Sequence, residues 1–343
     1  MEIKFEFSDY VLKKFFEETG KRQGWLPANN RVAVVSVSGG GDSVALLWLF
    51  HKFYDGKIFV VHINHGIRGL EADEDEKFVM NLASELKIEG VAKKINVPEQ
   101  KLKGESIEAA ARRLRREAIC EIINQKFSTS YFLTPACFLG HNRDDLAETV
   151  LFNILRGSGI RGAVGMTECT EYNGIKFYRP LLGLRRDFLR EILRVRGIQW
   201  REDKTNADDA YTRNFIRLKV LPLINSKINS AAVEHLATLG EDMRTLRQYE
   251  ELQSRKLLEQ CRESETPNLI LSRKVLRSYT NDERALVIRE AGRILELKTL
   301  SRGRCEELAN LIAKPSHFIF QWCNGMTVKS DKGKIIFERG EIK

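Results

Sequence analysis

The stretch SVSGGGDSVALLWLF, residues 36 to 50, decides the fold. Its three consecutive glycines follow a run rich in Val and lead at once into an apolar run typical of a buried helix. We expect a strand that ends at Val37 and a helix that starts at Ser43, so that the loop amides and the helix N-terminus point the same way. Glycines let these amides approach an oxygen atom without an intervening Cβ. The stretch therefore predicts an anion-binding loop, and phosphate is the expected anion.

The residues around the glycines narrow the type of anion site. Ser38 and Ser43 can add hydroxyl donors to the loop. The stretch has neither the GK[ST] sequence of a Walker loop nor the GxGxxG spacing of a dinucleotide fold. Asp42 would repel a phosphate unless a divalent cation lies between them or its carboxylate caps the helix. We therefore expect Mg²⁺ at Asp42. The alternative is a tight strand-to-helix turn with an ordinary aspartate cap.

From about residue 31, short apolar runs alternate with longer amphipathic ones. Strands rich in Val and Ile, separated by helices, predict an α/β fold with a doubly wound parallel sheet. The predicted strands are RVAVVSV, KIFVVHINH, VAKKINV, ACFLG and KFYRPLL. The predicted helices are DSVALLWLFHKF, EADEDEKFVMNLASEL, SIEAAARRLRREAICEII, one beginning near RDDLAETVLF, and RRDFLREILRVRG.

The strand signals stop after Asn206, and we place a domain boundary near residue 220. Residues 1–220 form the predicted α/β domain, and residues 221–343 form a second, mainly helical domain. The final stretch HFIFQWCNGMTVKSDKGKIIFER predicts a short antiparallel β element at the end of this second domain.

Composition indicates an ordinary folded protein of 343 residues, with 43% hydrophobic and 30% charged residues. No run approaches the ~18 apolar residues of a membrane span, and the N-terminal segment does not resemble a signal peptide, so we expect no membrane association and a cytoplasmic location. The six scattered cysteines form no CxxC pair, which favours buried free thiols. The net charge of +9 is compatible with a polyanionic partner.

The glycine stretch resembles a known signature. Ser38, Gly39, Gly40, Gly41, Asp42 and Ser43 form the SGGxDS motif of the N-type ATP pyrophosphatases, or PP-loop enzymes, which have an adenine nucleotide alpha hydrolase-like fold. The resemblance implies that the loop holds the pyrophosphate of ATP while AMP is transferred to an acceptor oxygen. GMP, NAD and asparagine synthetases and tRNA-modifying enzymes share the signature, so other segments must identify the acceptor.

Two further segments follow predicted strands, at the edge where open α/β sheets bind ligands. In VVHINHGIRG, residues 60 to 69, Asn64 and His65 become candidates for contacting the adenosine, although a core histidine and a turn histidine are the simpler interpretation of His62 and His65. In SIEAAARRLRREAI, residues 106 to 119, the arginines fall largely opposite the apolar face of the helix. They form either a solvated basic face or a site for phosphate and nucleic-acid backbone.

A third segment, LGHNRDDLAETVLFNILRGSGIRG, places acids near the start of a helix that Asn142 can cap. Asp145 and Glu148 are three residues apart on one face, and Asp144 lies four residues before Glu148. Compensation of the helix dipole accounts for part of this acidity. Because ATP is anionic, three acids beside its site also point to a cationic co-substrate or a metal.

These segments, together with FYRPLL, WREDKTN and TRNFIR, resemble the tRNA(Ile)-lysidine synthetases in order and spacing. The resemblance covers roughly residues 30 to 220, and the later helices and terminal β element are similar to the substrate-binding region of that family. Arg116 replaces an aromatic residue of the family pattern, Asn142 replaces a residue that is often histidine, and STSYFLTP matches poorly. Longer members of the family also continue into another C-terminal domain.

The resemblance implies a two-step ligase reaction that uses ATP and Mg²⁺ and modifies cytidine 34 of a tRNA(Ile) with a CAU anticodon. The C2 oxygen of the base attacks the α-phosphate of ATP and releases pyrophosphate, and the ε-amine of free L-lysine then attacks C2 and expels AMP, which leaves lysidine. A homodimer stays among the candidate assemblies, because the residues do not decide the oligomeric state.

The resemblance and electrostatics together give roles to individual residues. Asp42 would hold Mg²⁺, and Arg112 would act on the α-phosphate or the target nucleotide. Lysine is assigned to Asp144, Asp145 and Glu148, of which Asp145 and Glu148 would also be catalytic in its deprotonation. The nucleotide is assigned to Asn64, His65 and His141. The tRNA or phosphate contacts are assigned to Arg112, Arg115, Arg213 and Arg217.

Three other functions remain open at this point. A tRNA 2-thiolating enzyme of the PP-loop class would share the adenylation, but such enzymes usually carry paired cysteines that this sequence lacks. A small-molecule synthetase would be expected to bring a glutamine-hydrolysing domain, which the sequence does not indicate. A non-catalytic RNA-binding protein would leave the complete SGGGDS loop unexplained.

Overall fold

The computed structural model describes residues 8–27, 31–66, 69–127, 134–202, 212–264, 268–322 and 325–339. The chain divides into two compact units, Met1–Asp242 and Met243–Lys343. This division lies beyond the boundary near residue 220 that the sequence suggested. The physical reason is that Ile216, Leu221 and Val233 are buried in one cluster with Ala147, so the segment after residue 220 completes the core of the first unit.

The first unit alternates strands and helices along most of its length. Its strands are β1 (Arg31–Ser36), β2 (Lys57–Asn64), β3 (Glu89–Lys94), β4 (Thr134–Leu139), β5 (Cys169–Tyr172) and β6 (Ile175–Tyr178). Its helices are α1 (Asp9–Gln23), α2 (Gly41–Phe53), α3 (Leu70–Glu85), α4 (Val97–Gln100), α5 (Ile107–Phe127), α6 (Arg143–Leu155), α7 (Gly159–Ala163), α8 (Arg186–Val195), α9 (Thr212–Phe215) and α10 (Leu221–Lys227). A 3-10 turn covers Pro180–Gly183, a π-helical turn covers Ile216–Val220, and α11 (Ala232–Cys261) begins in this unit.

The six strands form one sheet in the order β3-β2-β1-β4-β6-β5. The pairs β1 with β2, β1 with β4, β2 with β3 and β4 with β6 are parallel. Because β2 and β4 lie on opposite sides of β1, the chain reverses its direction of winding beside β1. Open α/β sheets bind ligands at such a reversal, outside the carboxyl ends of the strands. The sequence prediction of a doubly wound parallel sheet is therefore confirmed.

Helices cover both faces of the sheet, and alternate residues of each strand feed two separate cores. Ala33 and Val35 of β1 pack in the core formed with α1, α2 and α8, whereas Val32 and Val34 pack in the core formed with α5. Burial on both faces explains why these strands are almost continuously apolar rather than alternating.

Three elements of this unit differ from the sequence prediction. The segment KFYRPLL is a strand only as far as Tyr178, because the chain turns into a 3-10 helix at Pro180. The antiparallel strand β5 and the helix α1 were not predicted.

The second unit contains more β structure than the sequence suggested. It holds the remainder of α11 and the elements β7 (Arg262–Ser264), β8 (Leu269–Ser272), α12 (Arg273–Ser278), α13 (Asn281–Ile294), α14 (Arg302–Ala313), β9 (Ile319–Gln321), β10 (Met326–Asp331) and β11 (Lys334–Arg339). The strands form an antiparallel five-stranded sheet in the order β7-β8-β11-β10-β9. The expected terminal β element is present, but it pairs with β8, a four-residue strand too short to give a clear periodic signal.

Across the ranges that the structure describes, no helix has the length and apolar character needed to cross a membrane. Five cysteines are free thiols, and Cys120, Cys137, Cys261 and Cys305 are buried. Cys323 lies outside the described residues.

An aromatic cluster beneath α2 offers a test of the first core. Phe50 is fully buried, with ring centroids 5.0 Å from Phe16, 5.4 Å from Trp25 and 4.5 Å from Phe138. Phe50→Ala should lower the free energy of unfolding of this unit by about 3–5 kcal/mol, because it leaves a cavity among rings that cannot collapse onto one another. Urea titration followed by circular dichroism measures the change. Tyr10→Ala, at a side chain 75% exposed on α1, is the control and should change it by less than about 0.5 kcal/mol.

Candidate active site

The glycine loop lies between the end of β1 and the start of α2, as the sequence predicted. Gly40 is the N-cap residue of α2, and no side chain caps this helix. The hydroxyl of Ser43 donates to the carbonyl of Gly40 at 2.8 Å and accepts from the backbone N–H of Ser38 at 3.1 Å. The helix N-terminus is therefore free of its own side-chain cap, which is the arrangement that a bound anion can complete.

Two glycines are required by this geometry. Gly39 has φ +95°, a conformation that side chains with a Cβ rarely adopt. Gly140, which follows β4, lies against the first turn of α2, because a Cβ on it would lie 3.0 Å from the backbone nitrogen of Ser43. The β4–α6 loop and the glycine loop thus approach each other without an intervening side chain.

A cavity of about 790 Å³ opens at this edge of the sheet. The glycine loop forms one wall, and side chains from α5, the β4–α6 loop, α6, α8 and the α9–π segment form the others. Of the residues predicted for the site, Asp42, His65, Arg112, Arg115, His141, Asp145, Arg213 and Arg217 line this cavity together with the loop residues Ser38, Gly40, Gly41 and Ser43.

Asp42 holds an unsatisfied carboxylate in this cavity. Its Oδ2 lies 3.5 Å from Nε of Arg186, whereas its buried Oδ1 has no hydrogen-bond partner among the described residues. Burial, with a smaller contribution from the charge of Asp145, raises the pKa of Asp42 to about 6. A carboxylate in this state is suited to a cation that would stabilise its charged form.

Asp145 and Glu148 lie one turn apart on α6, and three arginines surround them. Arg186 Nη2 lies 2.9 Å from Asp145 Oδ1 and 3.1 Å from Glu148 Oε1. Arg217 donates to Glu148 Oε1 at 2.7 Å and to Asp145 Oδ1 at 2.9 Å, and Arg213 Nε donates to Glu148 Oε2 at 3.3 Å. The predicted acidic pair and the two predicted basic residues of the RNFIR segment therefore form one ionic cluster.

This cluster keeps Asp145 charged despite its burial. Burial acts to raise the pKa of Asp145, but the nearby guanidinium groups of Arg186 and Arg213 outweigh it and hold the pKa below its ordinary value. Asp145 also completes a capping box, because its side chain accepts from the backbone N–H of Asn142 while its own N–H donates to the Asn142 side chain. The sequence prediction that Asn142 caps this helix is confirmed.

Asp144 makes different contacts from Asp145 and Glu148. Its Oδ2 accepts from the backbone N–H of Arg186 at 2.8 Å and from Nε of Arg185 at 3.2 Å. The carboxylate thus satisfies the N-terminus of α8 and, like Glu148, it is not among the residues that line the cavity. These contacts give Asp144 a structural role, and its contact with lysine stays a prediction.

The arginines of α5 divide into two pairs. Arg112 and Arg115 line the cavity, whereas Arg113 is bound by Glu105 and Glu117, and Arg116 lies over the ring of Tyr172. Arg115 makes no ion pair or hydrogen bond with any described residue, and burial, assisted by the charge of Arg112, lowers its pKa to about 10. A half-buried cation without an acid partner among the described residues is suited to an anionic ligand.

Of the residues predicted to bind the nucleotide, the two histidines line the cavity and the asparagine does not. His141 lines the cavity, its Nδ1 is buried without a partner among the described residues, and burial lowers its pKa well below the ordinary value, so it is neutral. His65 lines the cavity. Asn64 does not: its amide group donates to Asp73 and Glu76, and its oxygen accepts from the N–H of Gly66. These contacts hold the loop after β2, and the contact between Asn64 and adenosine stays a prediction.

The chain is similar to known proteins in both sequence and fold. A family model described as the PP-loop domain matches residues 8–224. A curated relative from Chlorobaculum tepidum named tRNA(Ile)-lysidine synthase is 34% identical over 251 residues, which are 72% of this chain and 72% of that protein.

The chain belongs to the tRNA(Ile)-lysidine synthase family of PP-loop proteins.

A second relative of the same name, from Caldanaerobacter subterraneus subsp. tengcongensis, is 33% identical over 289 residues, which are 82% of this chain and 60% of that protein. The chain therefore spans less than two thirds of the length of that relative. Among solved structures, the U34-tRNA thiolase NcsA from Methanococcus maripaludis with its [4Fe-4S] cluster has a TM-score of 0.53 at 16% identity, covering 68% of this chain and 78% of that one. At this identity the likeness concerns the fold alone.

Sequence reasoning gave no site role to several residues that line the cavity of this lysidine synthase family member, among them Arg186 and Trp200. A signal for Arg186 was present, because two consecutive arginines at the start of a helix are unfavourable for the helix dipole unless acids lie nearby. Of the motifs used in the sequence analysis, Ile67, Arg68 and residues 203–206 lie outside the described residues.

The raised pKa of Asp42 predicts a pH-dependent cost of folding. When the pKa of an aspartate is higher in the folded state than in the unfolded state, its ionisation destabilises the fold. This cost grows as the pH rises from the unfolded-state pKa through the folded-state pKa. Without divalent cations, Asp42→Asn should therefore raise the free energy of unfolding by about 1–3 kcal/mol at pH 7.5 and by roughly half as much at pH 5. Urea titrations at both pH values measure the effect, and Asp55→Asn at an exposed position is the control. If Asp42→Asn raised the free energy of unfolding equally at both pH values, the raised pKa of Asp42 would be contradicted.

Proposed function

We propose that this protein ligates L-lysine to C2 of cytidine 34 in the CAU anticodon of tRNA(Ile), through an adenylated tRNA intermediate, with release of pyrophosphate and AMP. The observation that carries the proposal is one cavity lined both by the glycine loop, at a helix N-terminus without a side-chain cap, and by Asp145 of the ionic cluster, in a chain of the lysidine synthase family. The first feature suits the phosphates of ATP, and the second suits the ammonium group of lysine.

The adenylation half of the reaction would use the loop and the arginines of α5. The amides from Ser38 to Ser43 would bind the departing pyrophosphate at the N-terminus of α2. Arg112 and Arg115 would contact the α-phosphate or the phosphates that flank cytidine 34, since Arg115 has no acid to neutralise it among the described residues. The neutral His141 would contact the nucleotide as a hydrogen-bonding partner rather than as a charge.

The residues present fit a magnesium ion. Asp42 has one buried oxygen without a partner among the described residues, beside the proposed phosphate site. The described residues contain no group of three or more His, Cys, Asp or Glu side chains suited to a metal, so phosphate oxygens and water would supply the other ligands, as is usual for Mg²⁺. When bound, the ion would neutralise charge that develops on the phosphates.

The lysine half of the reaction would use Asp145 and Glu148. Because three guanidinium groups already contact these acids, an incoming ammonium group must compete with them for the same oxygens. The same positive surroundings favour loss of a proton from the ammonium group, whose reference pKa is ~10.4. Since only the neutral amine can attack C2, this environment would assist the second step while it weakens the binding of lysine.

The tRNA partner follows from the same chemistry. An anticodon loop presents cytidine 34 unpaired, so no duplex has to be opened. The basic chain would bind the tRNA body largely through phosphates, which makes its affinity strongly dependent on salt. A cytoplasmic location suits this substrate, and a homodimer stays a prediction from the sequence.

A pyrophosphate-release assay tests the first step. With ATP and Mg²⁺, release should require tRNA(Ile) with a CAU anticodon, and lysine should add AMP release. Asp42→Ala should lower the rate by about a hundredfold or more, because the phosphates lose the carboxylate that holds their cation. Release that needs no tRNA and responds to a small acceptor would contradict the proposal.

A second assay separates the two steps. Glu148→Gln keeps the volume of the side chain but removes its charge and one of its two acceptor oxygens, so the KM for lysine should rise about tenfold or more, while tRNA-dependent pyrophosphate release without lysine stays within about twofold. Glu85→Gln on an exposed position of α3 is the matched control and should change neither value. Equal loss of both steps would count against the role given to Glu148.

A further inference from the structure

The segment that follows α8, residues 197–202, is hydrogen-bonded to the glycine loop. The backbone N–H of Arg201 donates to the carbonyl of Gly39 at 2.9 Å. The guanidinium group of Arg201 is held in turn by Asp75 and by Glu74, the latter at 2.8 Å. Arg201 is thus held by the glycine loop through its backbone and by α3 through its side chain. These two contacts set the position of the neighbouring Trp200 relative to the loop.

Trp200 lies directly against the first residue of α2. A Cβ added to Gly41 would lie 3.4 Å from Cδ1 and 3.5 Å from Nε1 of the indole ring. The ring therefore occupies the space beside Gly41 that a side chain would fill, and it lines the same cavity as Asp42. The pyrrole edge of the ring, which carries the N–H, is the part that faces the loop.

The indole N–H has no acceptor within the described part of the chain. Nε1 is buried and forms no hydrogen bond with any described residue. Such a donor is costly to leave unmet and calls for a specific explanation. Asp42, the next residue after Gly41, has the opposite deficiency, because its buried Oδ1 is an acceptor without a partner in the described part of the chain.

These two deficiencies are complementary to a metal-bound phosphate. An unmet donor requires an anionic oxygen, an unmet carboxylate oxygen requires a cation, and both stand at the same helix N-terminus. Adenosine would supply no cation. Free lysine carries both an ammonium group and a carboxylate, but the proposed function places it at the acids of α6, which leaves the phosphates for the glycine loop.

We infer that Trp200 is a phosphate-binding residue, whose indole N–H donates a hydrogen bond to an oxygen of the pyrophosphate held by the glycine loop. The inference deepens the proposed function and rests on it. It gives the segment after α8 a direct part in recognising the phosphates, in addition to its contact with Gly39.

Binding of inorganic pyrophosphate in the presence of Mg²⁺ tests this inference on the full chain by isothermal titration calorimetry. Trp200→Phe keeps an aromatic ring against Gly41 but removes the N–H, and it should weaken binding about tenfold, because a hydrogen bond to a charged oxygen is lost. Adenosine affinity should stay within about twofold. Trp48→Phe is the matched control and should leave binding unchanged. Trp48 is a residue of α2 whose ring lies against the guanidinium group of Arg196, and it is not among the cavity residues.

A spectroscopic readout separates a hydrogen bond from simple packing. In the wild-type protein labelled with ¹⁵N, the indole N–H signal that disappears in Trp200→Phe should move downfield when pyrophosphate and Mg²⁺ are added. Equal pyrophosphate affinity in Trp200→Phe and wild type, or an indole signal that does not move at saturation, would overturn the inference and leave the proposed function intact. A wild-type protein that binds no pyrophosphate would instead overturn the proposed function and the inference with it.

Discussion

The buried carboxylate of Glu148 imposes the constraint on which the rest of the site depends. Its side chain is 1% exposed, and a charge at that depth is stable only when it is paired. Three guanidinium groups supply the pairing, one from the start of α8 and two from the α9–π segment. The need to neutralise one acid therefore draws two distant segments over the edge of the sheet, and these segments form the walls of the cavity.

Several charged groups of the site have either more oppositely charged partners than they need or none among the described residues. Glu148 has more cations than one carboxylate needs, whereas Arg115 has no acid and Asp42 has an oxygen without a partner among the described residues. A protein optimised only for stability would remove such imbalances, because each one costs free energy. Their concentration around one cavity supports the proposal that ligands complete the electrostatics, with phosphate on one side and an ammonium group on the other.

The sequence predicted the α/β unit well because its strands are buried on both faces and its helices are long. It missed β8 and the five-stranded character of the second sheet, since strands of three or four residues carry little periodicity. At the site, the glycine loop was predictable from local chemistry, as was the capping of α6 by Asn142. Arg186 and the separate duties of Asp144 and Asp145 were not, because adjacent residues on a helix point in different directions and only tertiary packing decides which one meets the cavity.

The ionic cluster also has a consequence for biosynthesis. The arginines that contact Glu148 lie 38, 65 and 69 residues further along the chain. A ribosome delivers the sheet strands and the glycine loop well before it delivers Arg217, so the counter-charges of Glu148 are incomplete until that residue is made. The ionic cluster beside the cavity can therefore form only late in translation, after the last of these arginines has left the exit tunnel.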